Sequence, residues 1–336
     1  MPLDTSAYGL ALLRVDGRRW NELRQMRAQM RTQASADGSS YLEMGNTKVM
    51  CVVAGPTEDG KLQQQRRAGG GGSGGGGAAP GSGGNAEVIV SIVVAGFSSV
   101  DRKKRTRNDK RILELQTTVC RGLAANLHTH LFPRSTIGVS LYVLAQDGSL
   151  LAALFNAATL ALVDAGVPMA DYLVACTAGS APSLPPAARG GAAAAAADDA
   201  ADPLIDLNAQ EETELPWLTL ATLGATDRVV ALVCETRVPD ARRLEAMMAA
   251  AADGCARVRA KLDRAVRRRG RRVLAGEGLG GAADVPATGG GDSDEDVGMD
   301  LDSDSDADAP QEEALKVLDR LEKETEGGKG KGKRKN

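Results

Sequence analysis

The stretch DRKKRTRNDKR, Asp101 to Arg111, sets seven cations (Arg102, Lys103, Lys104, Arg105, Arg107, Lys110 and Arg111) against two acids, where the chain enters a helical pattern. Cations feeding a helix N-terminus suit phosphate, because the unpaired N–H groups and the helix dipole add to the side-chain charge. Such a loop grips a polyanion without reading its sequence, and its grip weakens as salt rises. The same composition fits a solvated loop with no ligand. Lys61, Arg66 and Arg67 form a smaller basic set just before a glycine run. Other chemistry-bearing residues are sparse. His128 and His130 sit two apart with no third ligand in view, which argues for a structural or surface role. The five cysteines, Cys51, Cys120, Cys176, Cys234 and Cys255, have no metal-binding spacing and stand among apolar residues, as buried thiols of a reducing compartment do. Gly69 to Gly77 is not a phosphate loop, since no Lys-Ser/Thr follows it and no strand immediately precedes it.

The elements that must position these groups read as alternating strands and helices. YLEMGNTKVMCVV is a hairpin pattern turning at Gly45-Asn46. EVIVSIVVA from Glu87, STIGVSLYVLAQDG and DYLVACTAG read as strands, and WLTLATLGATDRVVALVCETRV as a second hairpin. Between Asp109 and Leu131, residues Ile112, Leu115, Val119, Leu123 and Leu127 fall on one helical face, with Pro133 beyond. AALFNAATLALVDAG reads as a buried helix stopped by Gly166 and Pro168, and Pro239 to Leu274 as a long final helix. The fold class is α/β (α+β), with two lobes of similar size.

Aromatic residues make up only 3% of the 336-residue chain, so aliphatic side chains must fill the core. Net charge is −3 but unevenly spread: residues 257–272 hold nine basic groups and one acid, and residues 292–308 nine acids and no base. Two low-complexity inserts, 68–84 (Gly-rich) and about 186–202 (Ala-rich), lengthen loops at little entropic cost. From about 276 to 336 the composition is that of a disordered tail, acidic and then basic, with a short amphipathic piece from Glu312 to Glu324. Ser293, Ser303 and Ser305 precede acids and suit an acid-directed kinase, and the terminal KGKGKRKN suits nuclear import. No stretch approaches the ~18 apolar residues of a membrane helix, and no secretory leader is visible, so a soluble protein of cytosol or nucleus is expected.

Five stretches in order carry a resemblance: LRVDGRRWNELR (Leu13 to Arg24), ADGSSYLEMGNTKVMCVVAGP (Ala36 to Pro56), NDKRILELQ, LAQDGSLLAALFNAATLALVDAGVPM (Leu144 to Met169) and LIDLNAQEE. Together they resemble the RNase PH-like family, and within it the ring subunits of the eukaryotic RNA exosome. The resemblance implies two βαβ-type lobes with mixed sheets packed on helices, the first about 15–167 and the second about 168–275. It implies a hexameric ring with other RNase PH-like subunits, RNA-binding cap proteins and an RNB-type hydrolytic nuclease, with single-stranded RNA threaded through the pore. Active members cleave RNA from its 3′ end with inorganic phosphate, and the basic helix start supplies the phosphate grip. Lys110 and Arg111 occupy those positions here. The family's acidic pair follows the segment that here reads LIDLNAQEETELPWLTLAT. Asp206, Glu211 and Glu212 match its leading part, but the two catalytic aspartates fall near Pro216 and Leu218, and Glu214 substitutes only with a two-residue slip.

The resemblance therefore implies no catalytic residue, no metal and no cofactor. It implies an RNA-guiding role for Lys61, Arg66, Arg67, Arg102, Lys103, Lys104, Arg105, Arg107, Lys110 and Arg111, in rRNA processing and RNA turnover in nucleus, nucleolus and cytoplasm. The alternatives are a working phosphorolytic exoribonuclease and a free-standing RNA-binding ribosome-assembly factor. VDGRR, Asp16 to Arg19, is a family signature read as packing and ion pairing.

Overall fold

The computed structural model describes residues 14, 16–57, 85–99, 102, 109–180, 203–224, 228–238 and 241–274. All lie in the compact unit Met1–Pro286. Both inserts, the basic loop residues Lys61, Arg66, Arg67, Lys103, Lys104, Arg105 and Arg107, and the tail with Ser293, Ser303, Ser305, the Glu312 to Glu324 piece and KGKGKRKN are outside the described residues.

The first sheet has five strands: β1 (Met26–Met30), β2 (Gly38–Met44), β3 (Thr47–Thr57), β4 (Glu87–Val94) and β5 (Thr136–Ala145), in the order β1-β2-β3-β5-β4. Neighbours are antiparallel except β4 and β5, which are parallel. That pair needs a crossover, and helix α1 (Lys110–Asn126) supplies it, so the first sheet contains one βαβ unit. The hairpin closes at Met44↔Thr47, with Gly45 at φ +59°, the positive value a two-residue hairpin asks of its first loop position.

The second sheet contains β6 (Leu173–Ser180), β7 (Pro203–Ile205), β8 (Trp217–Leu223) and β9 (Arg228–Cys234), in the order β7-β6-β8-β9. Every pairing in it is antiparallel, so the mixed arrangement expected of both lobes holds only in the first. Among the described residues the remaining α-helices are α2 (Leu150–Asp164), α3 (Ala209–Glu214) and α4 (Ala241–Leu274).

Helix α2 is apolar all round and packs against β2 and β3 of one sheet and β6 of the other. A helix with no polar face must be covered on every side. Its two buried polar side chains bind β6: Asn156 accepts from the Ala175 N–H and donates to the Ala175 carbonyl, both at 2.9 Å, and the Thr159 hydroxyl reaches the Leu173 carbonyl at 2.6 Å, while Asp164 at its end accepts from the Ser39 N–H of β2 at 3.0 Å. Gly38 lets β2 approach, since a Cβ there would stand 2.3 Å from the Ala161 carbonyl oxygen.

On α1, Ile112, Leu115, Val119 and Leu123 are buried as their spacing predicts. The helix ends at Asn126, short of the expected Leu131. Asn126 donates to the Asp171 carbonyl at 2.8 Å, and Leu127 turns extended and bridges Met169. Helix α4 begins at Ala241 and buries Met247, Ala251, Gly254, Cys255, Val258 and Leu262. The expectation of five buried cysteines fails for two: Cys234 is exposed on the edge strand β9, and Cys120 is only half-buried on α1. Strands β1 and β7 and helix α3 have no counterpart in the sequence reading, because each is short and none carries a strong apolar period.

Candidate functional site

Four of the five stretches singled out above meet in one polar knot. The DGS turn Asp147-Gly148-Ser149 and the LNAQ turn at Leu207 to Gln210 lie against each other. A Cβ on Gly148, which sits at φ +74°, would stand 2.5 Å from the Asn208 carbonyl carbon and 2.6 Å from the Leu207 carbonyl oxygen. Asp147 joins the two turns to the first hairpin. It accepts from the Asn46 amide at 2.9 Å and from the Ala209 N–H at 3.3 Å.

Two buried ion pairs tie this knot to the start of the chain. The Arg24 guanidinium reaches Asp206 Oδ1 at 2.7 Å, and the Arg24 backbone N–H reaches Oδ2 at 3.0 Å. Burial alone would raise the Asp206 pKa, but the Arg24 charge and hydrogen bonds outweigh it and hold the carboxyl below its ordinary value. The Arg14 guanidinium takes both oxygens of Glu211 and also donates to the carbonyls of Ile205 and Asp206. Glu211 in turn closes a capping box with Asn208 at the start of α3. The reading of VDGRR as an ion-pairing segment holds: Arg18 meets Asp16 at 3.0 Å, and Asp16 accepts from Asn208 at 3.0 Å. Asp206 and Glu211 are both buried, with each carboxylate oxygen already accepting a hydrogen bond, and therefore anchor the loop.

Glu212 is different. The Ser149 N–H, at the first turn of α2, donates to its Oε1 at 2.5 Å. Burial pushes its pKa up to about 7 against the pull of that N–H and of Arg24, with the Glu235 carboxylate pushing further up and Arg111 pulling down. Glu235 follows β9 and pairs with Arg111 at 3.0 Å. Arg111 and Lys110 open α1, both exposed, with Asp109 as the N-cap accepting from the Arg111 N–H at 3.4 Å. The fifth stretch thus meets the same knot through Arg111. Arg102 is also exposed, with its N–H on the Ser99 carbonyl at 3.0 Å. The arrangement sets two partly exposed carboxyls and a guanidinium beside a helix start, and of these Glu212 is the group able to hold or release a proton near neutral pH.

The description "RNase PH: 3′ exoribonuclease family, domain 1" matches residues 22–168. The fission yeast exosome complex component ski6 is 37% identical over 267 residues, covering 78% of this chain and 94% of that protein. The human exosome complex component RRP41 is 36% identical over 265 residues, covering 77% and 94%. The chain belongs to the RNase PH family. The fold agrees: rice (Oryza sativa) Rrp46 superposes with a TM-score of 0.58 at 21% identity, covering 76% of this chain and all of that one.

In this RNase PH family member, the positions near which the family's aspartates were expected are built into the scaffold. Leu218 is completely buried in β8, and the Pro216 carbonyl accepts from the Ser180 N–H at 3.1 Å. Glu214, the suggested substitute, is exposed at the end of α3. Among the described residues no group of three His, Cys, Asp or Glu side chains can hold a metal ion. The two histidine rings lie edge to face at 5.6 Å. Glu235 was missed by sequence reasoning, because a lone acid after a strand carries no signal. Glu212 was seen only as part of a motif, and its role depends on the Ser149 contact across 63 residues.

Proposed function

We propose that this chain is a non-catalytic, RNA-guiding ring subunit of an RNA exosome core. The observation that carries this reading is the fate of the acids. Pro216 and Leu218 stand near the aspartate positions, and Asp206 and Glu211 are bound to Arg24 and Arg14. The curated relatives that match over most of their length are named exosome complex components, which supports the assembly. In this reading the chain joins other RNase PH-like subunits in a ring, meets RNA-binding cap proteins, and passes single-stranded 3′ ends to an RNB-type hydrolytic nuclease for rRNA processing and RNA degradation. It works in nucleus, nucleolus and cytoplasm. No helix among the described residues is long and apolar enough to cross a membrane.

The guiding residues are Arg102, Lys103, Lys104, Arg105, Arg107, Lys110 and Arg111, with Lys61, Arg66 and Arg67 as a second set. Their contact is with phosphates, so it carries no sequence preference. Charge reversal at Arg102, Lys104 and Arg107 tests this by ultraviolet crosslinking of 3′-tailed RNA to the assembled ring. Loss of crosslinks at residues 101–111, with the ring intact, is expected. Unchanged crosslinking refutes the guiding role. The second reading, a phosphorolytic exoribonuclease, draws on Glu212, whose carboxyl titrates near neutral pH beside Arg111.

A further inference from the structure

A second cationic feature lies on α4, away from the knot. Helix α4 runs antiparallel to β6: Gly254 packs on Cys176, and farther along Arg259 meets Asp171 at 3.6 Å, just before β6 begins. The last turns of α4 therefore continue past the Leu173 end of the four-stranded sheet. Arg111 and Glu235 stand at the other end, because Glu235 follows Cys234, which pairs with Leu218, which pairs with Ala178.

Val266 is the last α4 residue packed on the core. Arg264, Arg268 and Arg271 are all exposed and follow at steps of four and three, so they lie within about 60° of one another around the helix. Lys261 and Arg257 continue the row, giving about one cation per turn over ~21 Å. Arg257 is held by Asp253 and Arg267, off the row, by Asp263, each at 2.8 Å. Arg264, Arg268 and Arg271 have no carboxylate partner among the described residues. Cations in the last turn of a helix favour its dipole, but that effect fades within one turn and does not account for Arg264 or Arg268.

The chemistry of the row selects its partner. Eight of the nine basic groups in residues 257–272 are arginines, whose weakly hydrated, planar guanidinium forks phosphate oxygens. The other exposed positions from Ala256 to Arg271 are Ala256, Ala260 and Gly270, with no large apolar side chain among them; the exposed Val273 and Leu274 lie beyond, at the helix end. A stable protein interface has an apolar centre, whereas a strand of phosphates needs only regularly spaced charge.

We propose that this face of α4 is a second phosphate-backbone contact for single-stranded RNA, separate from the α1 site. The choice of RNA rests on the function proposed above.

The test is fluorescence anisotropy of the full chain with labelled single-stranded oligo(U) across a salt series. The triple variant Arg264→Gln/Arg268→Gln/Arg271→Gln removes three phosphate contacts. At ~0.7 per contact, the slope of log affinity against log salt is expected to become shallower by about 2, and affinity at 0.1 M salt to fall about 100-fold. The triple Lys variant keeps the charge and is expected to keep the slope. An unchanged slope in the Gln variant, a Lys variant as shallow as the Gln variant, or a wild-type chain without salt-dependent binding overturns the proposal. So does a Gln variant that loses polyglutamate while keeping oligo(U), which assigns the face to an acidic protein. Arg102→Glu/Lys110→Glu/Arg111→Glu, measured in the same series, separates failure of the α1 reading from failure of this one.

Discussion

Replacing Asp206 by Asn isolates the buried charge that holds the LNAQ turn in place. Asp206 sits at φ +55°, a left-handed conformation that Asn tolerates nearly as well as any residue but Gly, so the backbone contributes little to the difference. The side chain keeps its shape and loses its charge. Arg24, whose side chain is only 5% exposed, is left buried beside a neutral amide whose NH2 points donor at donor. Its bonds to the Asp147 and Gly148 carbonyls survive, but the countercharge does not. Removing one partner of a buried ion pair typically costs about 3–5 kcal/mol. For a fold of this size that is a fall in Tm of roughly 6–20 °C. Urea unfolding followed by tryptophan fluorescence reads it directly, because Trp20 accepts the Ile205 N–H beside the altered residue.

The pH dependence gives the sign. The folded Asp206 pKa is depressed, so its stabilisation is present above the ordinary aspartate pKa of about 4 and is lost as pH falls through the folded value. The gap between wild type and variant should hold from pH 8 to 5 and shrink in acid. Adding Arg24→Met should cost less than the sum of the single changes, by roughly 0.5–3 kcal/mol. A loss under about 1 kcal/mol at pH 7 would refute the view that this pair anchors the site.

Glu212→Gln should act in the opposite sense. The folded carboxyl is raised to about 7, so the wild type loses stability as pH rises from about 4.5 to 7, while Gln still accepts from Ser149. The variant should gain about 1–3 kcal/mol on wild type between pH 5 and 8 in urea titrations, and a pH-independent difference would contradict it. Cys234 should be the first thiol alkylated by iodoacetamide at neutral pH, since it alone is exposed. Burial pushes the Cys51 and Cys176 thiols well up and that of Cys255 to about 11, so these three should react only on unfolding, as peptide mass spectrometry will show.

Long elements with a clear period were legible in the sequence. The stripe Ile112, Leu115, Val119 and Leu123, the all-apolar α2 and the Gly45-Asn46 hairpin each declare their surroundings locally. What was hidden depends on distant partners. Helix α1 stops at Asn126 because Asp171 receives its amide, and Cys234 is exposed because β9 is a sheet edge, neither visible from neighbouring residues. The site was half legible. The five stretches were recognisable as a set, but not as the walls of one knot, because their meeting joins Arg14 to Glu211 and Arg24 to Asp206 across some 180 to 200 residues. The acids Asp206 and Glu211 of the LIDLNAQEE stretch are the ties that fix the loop.

Phosphorolysis by this chain is decided by one assay. The purified chain, alone and in the ring isolated from cells with its hydrolytic nuclease inactivated, is given 3′-tailed RNA and magnesium with or without inorganic phosphate. No nucleoside diphosphate is expected in any arm, with RNA bound in a salt-dependent manner that charge reversal across Arg102 to Arg107 weakens. Nucleoside diphosphate released only when phosphate is present, and lost on Glu212→Gln or Glu214→Gln, would contradict the non-catalytic reading and make this chain an enzyme.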